Sequence, residues 1–369
     1  MNKTLRILGT RGIPAQHGGF ETFVEHLAPY LADNNWKVIV YCQDDGEGDI
    51  YEDKWNNVQR IHIPITQPGA LGTIVFDWKS TLHAAKNKDK ILTLGYNTAI
   101  FCLLYRIKGI KNIINMDGIE WKRDKWSTLE RLWLYINERA GCLLGNQLVA
   151  DHPEIKNHLS SRVRESKITM IPYGSDAVTQ ANETLLEEYG VTPLNYAIII
   201  ARPEPENLIL EIVTAFSRKP RDKKLIVLGN FDKADPEYSK KVKKAASSDV
   251  IFPGAIYDKP TVQALRYFAR LYIHGHTVGG TNPSLVEALG AGNAVLAHDN
   301  KFNRWVAGDK NRYFSSIDNC ESELDELLDN DDLINSLKKF STYIHQDRFT
   351  WEMILNKYKE LITLNKTYI

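Results

Sequence analysis

Two successive series of short apolar segments, each followed by a segment with helical spacing, run through the chain. In the first series KVIVY (37–41) and KILTL (90–94) have the composition of β-strands, and 20–34 carries apolar residues at intervals of three and four. The second series starts at YAIIIA (196–201), whose unbroken apolar run is typical of a strand covered on both faces. Alternating strands and helices predict parallel sheets with helices on both sides. The sequence therefore predicts an α/β protein built from two doubly wound, Rossmann-like domains.

The change from one series to the next sets the predicted domain boundary. We predict an N-terminal domain over 1–175 and a second domain over 176–350, with a last helix at about 351–369 that returns to the first domain. Three side chains of that helix are expected to form its docking face: Trp351, Ile354 and Tyr358. Ligands of open parallel sheets bind at the carboxyl ends of the strands. We therefore expect the two domains to face each other across a cleft that contains the functional site.

Composition excludes several classes of function. Lys+Arg and Asp+Glu are both 46, so the formal net charge is zero and a strongly basic nucleic-acid-binding surface is not expected. The four cysteines lie far apart without a C-x-x-C pair, and the histidines lack HxxxH or HExxH spacing, so no metal site or disulfide framework is predicted. The N-terminus lacks the apolar core of a signal peptide, and no apolar run is long enough to span a membrane. These features predict a cytoplasmic protein.

A glycine-rich loop, GTRGIPAQHGGFE (9–21), joins the first predicted strand to the first predicted helix. Glycine allows close approach of a ligand, and a helix N-terminus offers unpaired N–H groups to an anion. The functional interpretation is that Gly18 and Gly19 contact a phosphate or a sugar, with Arg11 as a further charge. The alternative is a glycine-rich turn without a ligand.

A second glycine-rich loop lies in GHTVGGTNPSLVEALGAG (275–292), after the predicted strand LYIH. Pro283 suits the first turn of a helix, which Thr281 or Asn282 is expected to cap. Free amides at that N-terminus are predicted to bind a diphosphate, and Glu287 is predicted to face the same site and bind a ribose. The alternative is a capped helix whose Glu only favours the helix dipole. The candidate diphosphate and sugar ligands here are Gly280, Thr281, Asn282, Ser284 and Leu285.

Three further loops follow predicted strands. Arg202, in ARPEPEN, comes directly after the buried strand, and its planar guanidinium suits phosphate oxygens. Gly254 and Ile256, in FPGAIY, are predicted to lie beside a nucleobase. The third loop is NMDGIEWKRDKW (115–126), with Asp117 as a candidate catalytic carboxylate. Its candidate acceptor contacts are Glu120, Trp121, Lys122 and Arg123. A salt-bridged surface arginine and a structural corner of packed tryptophans are the alternatives.

Four of these segments, GTRGIPAQHGGFE, DGIEWKRDKW, ARPEPEN and HTVGGTNPSLVEAL, together resemble the retaining glycosyltransferases of family 4, which have the GT-B fold. Within that family they resemble a bacterial rhamnosyltransferase-like subfamily. The resemblance implies a metal-independent hexosyltransferase of bacterial surface polysaccharide synthesis. Its donor is expected to be a nucleotide-diphosphate sugar, with TDP-rhamnose as the first choice, and no cofactor. Its acceptor is expected to be a lipid-linked saccharide. The protein itself is expected to contact the inner membrane face peripherally.

The resemblance also implies roles for individual residues. Arg202 would stabilise the leaving diphosphate together with the amides of 281–285. Glu287 would bind the ribose, 253–256 would line the nucleobase pocket, and Asp117 would lie beside the donor sugar. The catalytic assignment is therefore Arg202, Asp117 and Glu287.

The chain departs from the family pattern at two positions. Gly279 stands where a Glu normally contacts the hydroxyls of a donor hexose, and Asn207 stands where a Lys normally faces the diphosphate. Both departures favour a donor other than UDP-glucose. Two alternatives stay open: a UDP-sugar epimerase of GT-B fold, and a non-catalytic protein that binds a nucleotide-sugar, which the missing Glu at Gly279 motivates.

Overall fold

The computed structural model describes residues 3–16 and 18–364. The chain divides into two compact units, one comprising Met1–Pro172 and Glu352–Ile369, the other Tyr173–Trp351. The dividing points lie within a few residues of the boundaries that the sequence suggested, 175/176 and 350/351.

Unit 1 contains an eight-stranded sheet in the order β3-β4-β2-β1-β5-β6-β7-β8. The strands pair in parallel except for β3, which runs antiparallel to β4 at the edge. The central strands are buried, as expected for a parallel sheet with helices on both faces. The strands are β1 (Thr4–Leu8), β2 (Lys37–Asp45), β3 (Tyr51–Trp55), β4 (Val58–Ile65), β5 (Lys90–Leu94), β6 (Asn112–Asn115), β7 (Gln147–Ala150) and β8 (Ile168–Met170).

In unit 1, helix α4 begins with a clear capping signal. Ser127 and Glu130 form a reciprocal capping box at the start of α4, which satisfies two amides of its first turn. The last helix, α13, packs Tyr358 against Phe23 of α1, with ring centroids 4.6 Å apart. The helices are α1 (Gly19–Asp33), α2 (Gly69–Ala84), α3 (Leu103–Ile107), α4 (Thr128–Leu144) and α5 (Pro153–Ser160); α13 (Trp351–Thr363) starts at the last residue of unit 2.

Unit 2 contains a six-stranded, fully parallel sheet in the order β11-β10-β9-β12-β13-β14. The strands are β9 (Tyr196–Ile200), β10 (Lys224–Leu228), β11 (Val250–Gly254), β12 (Leu271–His274), β13 (Ala294–His298) and β14 (Arg312–Phe314). The helices are α6 (Ile209–Ser217), α7 (Pro236–Ala245), α8 (Lys259–Tyr267), α9 (Pro283–Gly290), α10 (Lys301–Ala307), α11 (Ile317–Asp329) and α12 (Asp331–Arg348).

The strand order in each sheet defines where a ligand binds. In unit 2 the chain leaves β9 toward β10 on one side and later returns to β12 on the other, so the topological switch point lies between β9 and β12. In unit 1 the corresponding switch point lies between β1 and β5. Open parallel sheets bind ligands in the crevice at the carboxyl ends of such strands. Arg202 and the 275–282 loop flank the crevice of unit 2, and the loop residues 9–16 border that of unit 1.

The structure adds two edge strands that the sequence analysis missed. β3 is mostly polar (YEDKW) and largely exposed, and β14 has only three residues, so neither shows a periodic apolar signal. The strands predicted at KILTL (90–94) and LYIH (271–274) are confirmed at those bounds. No helix within the described residues is long and apolar enough to cross a membrane.

Candidate functional site

The N-terminus of α9 lies at the switch point of unit 2. Asn282 caps this helix by accepting a hydrogen bond from the Ser284 amide at 3.0 Å, so of the two predicted caps it is Asn282 that acts. Its main-chain oxygen accepts from the Leu285 amide at 3.2 Å. The amides of Ser284 and Leu285, which we expected to be free, therefore have local partners. Gly280, just before the cap, adopts a φ of +124°, which favours glycine.

A hydrogen-bonded bridge holds this helix end against the sheet. The Ser284 hydroxyl donates to the Ile200 carbonyl at the end of β9, at 3.1 Å. It also shares a 2.6 Å hydrogen bond with the hydroxyl of Tyr272, which lies on β12. Since β9 and β12 flank the switch point, this bridge fixes the helix N-terminus directly over the crevice. Ser284, assigned to a ligand by sequence, thus also has a structural role.

Arg202 follows β9 directly and points into solvent. Its side chain is 69% exposed, and its only ion pair among the described residues is a long one, 3.9 Å, to Glu204. A guanidinium with so little engagement remains available to an anion. It stands at the carboxyl end of the strand to which α9 is bridged.

Asn207 occupies the position of the missing lysine, and the structure gives it a different role. Its side chain is buried, donates to the Arg202 carbonyl at 2.8 Å and lies 2.7 Å from Nδ1 of His276. The side-chain nitrogen of Asn207 donates to the Arg202 carbonyl, so its side-chain oxygen is the atom that faces His276. That oxygen accepts a hydrogen bond from His276, which fixes the proton on Nδ1 of the ring. Asn207 thus ties the loop after β9 to the loop after β12 and supplies no charge.

Glu287 lies one turn into α9 and is oriented by a residue that the sequence analysis missed. Arg266 of α8 donates to its carboxylate at 2.7 Å. Arg266 is buried, with a side chain 7% exposed, whereas the Glu287 side chain is 34% exposed. The pair therefore presents one carboxylate in a fixed orientation to solvent. No sequence pattern connects two residues on separate helices, so this partner was not predictable.

The Phe302 ring occupies the space that a side chain at position 279 would enter. A Cβ placed on Gly279 would lie 2.3–2.4 Å from the nearest atoms of the Phe302 ring, far inside van der Waals contact. The ring of Phe302, on α10, thus fills the space in which a glutamate would begin. The expected carboxylate is thus absent at position 279, and the Phe302 ring lies in the space beside the main chain there.

The predicted nucleobase loop is open. Gly254 ends β11 with a φ of +88°, and a Cβ placed there would have no heavy atom within 4 Å. Ile256 is partly buried against the core of unit 2. Space beside Gly254 is what a planar ligand needs, and Ile256 offers an apolar neighbour.

In unit 1 the glycine-rich loop is shaped first by packing. Gly9 has a φ of +82°, and a Cβ there would lie 2.0 Å from the main-chain oxygen of Leu94 on β5. Gly12 has a φ of +129°, and a Cβ placed there would lie 2.8 Å from the sulfur atom of Cys42. These two glycines allow the loop to cross the ends of neighbouring strands and need no ligand to explain them.

Gly18 and Gly19 start α1 beside an acidic side chain of the same helix. Glu21 folds back so that its carboxylate accepts from the Arg11 amide at 3.2 Å and would meet a Cβ on Gly18 at 2.6 Å. A carboxylate already lies at this helix N-terminus, which disfavours a second anion there. The Arg11 side chain is exposed. The loop is therefore better suited to a neutral sugar than to a phosphate.

Asp117 follows β6 in an unusual environment. Its φ is +52°, and its amide donates to the Asn115 side chain at 3.0 Å. Asn115 in turn donates to the hydroxyl of Tyr358 on α13 at 2.9 Å. Burial, together with the neighbouring charges of Glu120 and Asp151, raises the pKa of Asp117 from 3.8 to about 7. This carboxyl can exchange a proton near neutral pH, as a group that exchanges protons with a substrate requires.

The rest of that loop is held by Glu138, a buried residue of α4 that the sequence analysis missed. Its carboxylate accepts from Trp121 Nε1 at 2.7 Å and lies 2.9 Å from His158 Nε2. Burial opposes ionisation, but these hydrogen bonds keep the pKa of Glu138 below its ordinary value. Trp121 is thereby fixed in place.

The four candidate acceptor residues thus differ in accessibility. Glu120 and Arg123 pair with each other at 2.8 Å and are mostly covered. Lys122 is exposed and lies over the Trp121 ring, 5.4 Å from its centroid. Within the described parts of the chain, no group of three or more His, Cys, Asp or Glu is placed to hold a metal ion.

Comparison with known proteins places this geometry in context. Residues 2–176 match the family model described as a domain of unknown function, DUF1972. A search of curated proteins finds no match. Three solved structures illustrate the similarity of the whole chain.

Anabaena HepE, solved with UDP and glucose, has a TM-score of 0.77 at 15% identity, covering 98% of this chain and 99% of that chain. Sucrose-phosphate synthase from Thermosynechococcus elongatus has a TM-score of 0.78 at 15% identity, covering 97% and 98%. An α,α-trehalose-phosphate synthase from Burkholderia xenovorans, with glucose-6-phosphate, has a TM-score of 0.71 at 11% identity, covering 98% and 100%. These neighbours are GT-B glycosyltransferases, and the chain shares their fold: it is an α/β protein of the GT-B type.

Proposed function

We propose that this protein is a glycosyltransferase that moves a sugar from a nucleotide diphosphate to a saccharide acceptor. One observation carries the proposal: at the switch point of unit 2, an exposed arginine follows β9, the strand end to which the N-terminus of α9 is hydrogen-bonded, and a carboxylate stands one turn into the same helix. The Arg202 guanidinium and the positive end of the α9 helix dipole suit a diphosphate, and the Glu287 carboxylate suits the two hydroxyls of a ribose. HepE, with the same fold, was solved in complex with UDP-glucose.

The chemistry requires stabilisation of charge on the leaving group. The bond between the anomeric carbon and the diphosphate oxygen breaks, and a bond to the acceptor oxygen forms. The acceptor proton passes to the released diphosphate, which supports a retaining reaction without a protein nucleophile. Arg202 and the α9 N-terminus would stabilise the negative charge as it develops. Asp117 would accept a hydrogen bond from a sugar hydroxyl.

For the donor sugar we propose rhamnose carried by TDP, and for the acceptor a lipid-linked saccharide of bacterial surface polysaccharide synthesis. The sequence resemblance supports both. The Gly279–Phe302 contact adds a physical reason on the donor side, because an aromatic ring replaces the carboxylate that would accept hydrogen bonds from a glucose-type donor. In this proposal the donor is the only small molecule required besides the acceptor.

Turnover tests the proposal. The protein is incubated with TDP-rhamnose or UDP-glucose and a lipid-linked GlcNAc acceptor, and release of the nucleoside diphosphate is followed with the glycosylated lipid. Product formation with one donor is expected. Conversion of UDP-GlcNAc alone to its epimer, observed by NMR, would instead identify an epimerase. Saturable donor binding without either product would identify a non-catalytic nucleotide-sugar-binding protein.

Replacing Glu287 by alanine is expected to weaken donor binding about tenfold or more, because a charged hydrogen-bond acceptor for the ribose is lost. The ribose is held in both the ground state and the transition state, so kcat should change less than donor affinity. Isothermal titration with the nucleoside diphosphate measures the loss. Arg266→Met, which removes only the orienting partner, is expected to give a smaller loss. Unchanged affinity in Glu287→Ala would remove this residue from the nucleoside site.

Activity is expected to rise with pH through about 7, because the ionised carboxylate of Asp117 accepts a stronger hydrogen bond from a sugar hydroxyl than the neutral carboxyl does. Asp117→Asn should lower kcat/KM and abolish this step in the pH profile. A profile that keeps the same step in Asp117→Asn would assign it to another group.

Stability gives an independent readout of the same proton. The folded state binds it more tightly than the unfolded state, whose carboxyl has a pKa near 3.8, so this group makes the protein less stable as pH rises from about 4 to 7. Asp117→Asn should therefore reduce the decline of the unfolding free energy over that range.

A further inference from the structure

We propose that unit 1 docks on an anionic membrane surface through an apolar face formed by α2, the 99–107 segment and α4. Eleven of the 17 large hydrophobic side chains that are exposed among the described residues lie on these three elements. Such a concentration marks a surface that binds a partner. The inference concerns a surface of unit 1, whereas the proposed donor-binding residues belong to unit 2, and it does not depend on the proposed transfer reaction.

The longest part of this apolar face is one side of α4. Leu129, Leu132, Trp133, Ile136 and Leu143 recur at intervals of three, four and seven, so they form a single stripe along the helix. Leu129 is 79% exposed and Leu143 is 75% exposed. The opposite side of α4 is buried against unit 1. The helix is therefore apolar on both sides, and only one side is covered.

The 99–107 segment, a 3-10 turn at Ala99–Cys102 followed by α3, continues the face. Ile100, Leu103 and Ile107 are exposed, Ile107 to 73%. This segment lies directly beside α4, because the Ile100 amide donates to the side chain of Asn137 at 2.9 Å. Their exposed side chains therefore form one surface.

Helix α2 borders the same segment on its other side. Trp78 of α2 packs against Phe101, with ring centroids 5.1 Å apart, and Asp77 accepts from Thr98 at 2.7 Å. Leu71, Trp78 and Leu82 are exposed on α2 and lie seven and four residues apart, again a single stripe. The three elements together present a continuous apolar face with two tryptophans, a residue that favours the interface between water and lipid.

Charge identifies the partner as an anionic bilayer. The chain as a whole has no net charge, but the exposed charged side chains around this face are mainly basic. Asp124 and Glu130 are the exposed acidic residues described between 69 and 144. Basic side chains beside an apolar face attract acidic lipid headgroups. A second copy of the chain is disfavoured, because a twofold contact would bring the basic groups together. The exposed basic side chains include Lys79, Arg106, Lys108, Lys122, Lys125 and Arg139.

Vesicle flotation with the full chain tests the proposal without any donor or acceptor. The protein is expected to float with vesicles of phosphatidylcholine and phosphatidylglycerol, and less with phosphatidylcholine alone. Leu129→Glu combined with Ile136→Glu should lower the partition coefficient about tenfold or more. Arg106→Glu combined with Lys108→Glu should abolish the preference for anionic vesicles. Each replacement is expected to lower the partition coefficient for anionic vesicles about fivefold or more.

The matched control is Leu194→Glu combined with Tyr343→Glu, two exposed apolar residues of unit 2, which should float like the wild type. Thermal unfolding shows that each variant remains folded, as expected for exposed positions. Absence of flotation of the wild type, or equal flotation of the Leu129/Ile136 variant, would overturn the proposal. A dimer in light scattering that the same variant dissociates, without vesicle binding, would assign the face to a second copy. Because no transfer is measured, a failure here leaves the proposed function unaffected.

Discussion

Replacing Arg202 by alanine is expected to lower kcat about 100- to 1,000-fold. One preorganised donor aimed at charge that develops in the transition state contributes about that much in other enzymes. Arg202 is largely exposed and weakly paired, so its removal leaves no buried charge behind and should not affect folding. Steady-state kinetics with saturating donor, together with a thermal melt of the variant, measures both expectations.

Two variants control this experiment. Arg202→Lys keeps the charge but loses the planar fork, so it should recover only part of the rate. Arg218→Ala removes another exposed arginine of unit 2, which pairs with Asp318 and Glu321 and lies away from the switch point, and it should behave like the wild type. If Arg202→Ala keeps a near-normal kcat, Arg202 does not stabilise the leaving group and the diphosphate site must lie elsewhere.

Replacing Gly9 by alanine is expected to destabilise unit 1 by about 2–5 kcal/mol, because two penalties combine. The positive φ costs a residue with a Cβ about 1–2 kcal/mol, and the new methyl group would press on the Leu94 main-chain oxygen at 2.0 Å. Main chain in a central strand cannot move aside as a flexible side chain can, so overpacking adds about 1–3 kcal/mol. Urea unfolding of the full chain, followed by fluorescence, measures the shift.

Gly109→Ala separates the two penalties. Gly109 has a φ of +68°, but a Cβ placed there would have no heavy atom within 4 Å. It should therefore show only the conformational cost, about 1 kcal/mol. Equal unfolding midpoints for the two variants would show that the contact with β5 is relaxed in solution, and would reopen the possibility that Gly9 serves a ligand.

The fold was predictable because its signal is local and repeated. Strands such as β9 are unbroken apolar runs, and α1 has clear helical spacing, so the two series and their α/β class could be identified from the chain alone. β3 was not predictable, since its residues are polar and its partner β4 determines its conformation. Whether such a polar segment forms an edge strand depends on its pairing with a neighbouring strand.

The candidate site was predictable in position but not in its supporting contacts. Arg202 and Glu287 could be placed at strand and helix ends by their sequence neighbours. The partners that orient them could not, because Arg266 reaches Glu287 across two helices and Phe302 reaches Gly279 from a third. Glu21 is another such contact: it lies inside the glycine-rich motif, yet only the folded loop shows that its carboxylate turns back toward Gly18.

The two departures from the family pattern therefore have different explanations. The Asn207 side chain connects the loop after β9 to the loop after β12 by hydrogen bonds. The position of the missing lysine therefore carries a hydrogen-bonded link and no cation. Gly279 lies beside the Phe302 ring, which occupies the space of a Cβ at that position. Both changes leave Arg202 as the exposed cation that directly follows β9, and this increases its expected importance.

Donor binding tests the central claim most directly. The protein, with the Arg202→Ala and Glu287→Ala variants, is heated with TDP-rhamnose, UDP-glucose, UDP-GlcNAc or GDP-mannose, and the melting temperature is compared with that of the free protein. A ligand at about 100 times its Kd stabilises the folded state by about 2.7 kcal/mol, which raises the melting temperature of a domain of this size by roughly 5–10 °C. We expect TDP-rhamnose to give the largest shift and both variants to reduce it. A wild-type protein that none of these nucleotide-sugars stabilises, at concentrations up to several millimolar, would contradict the account.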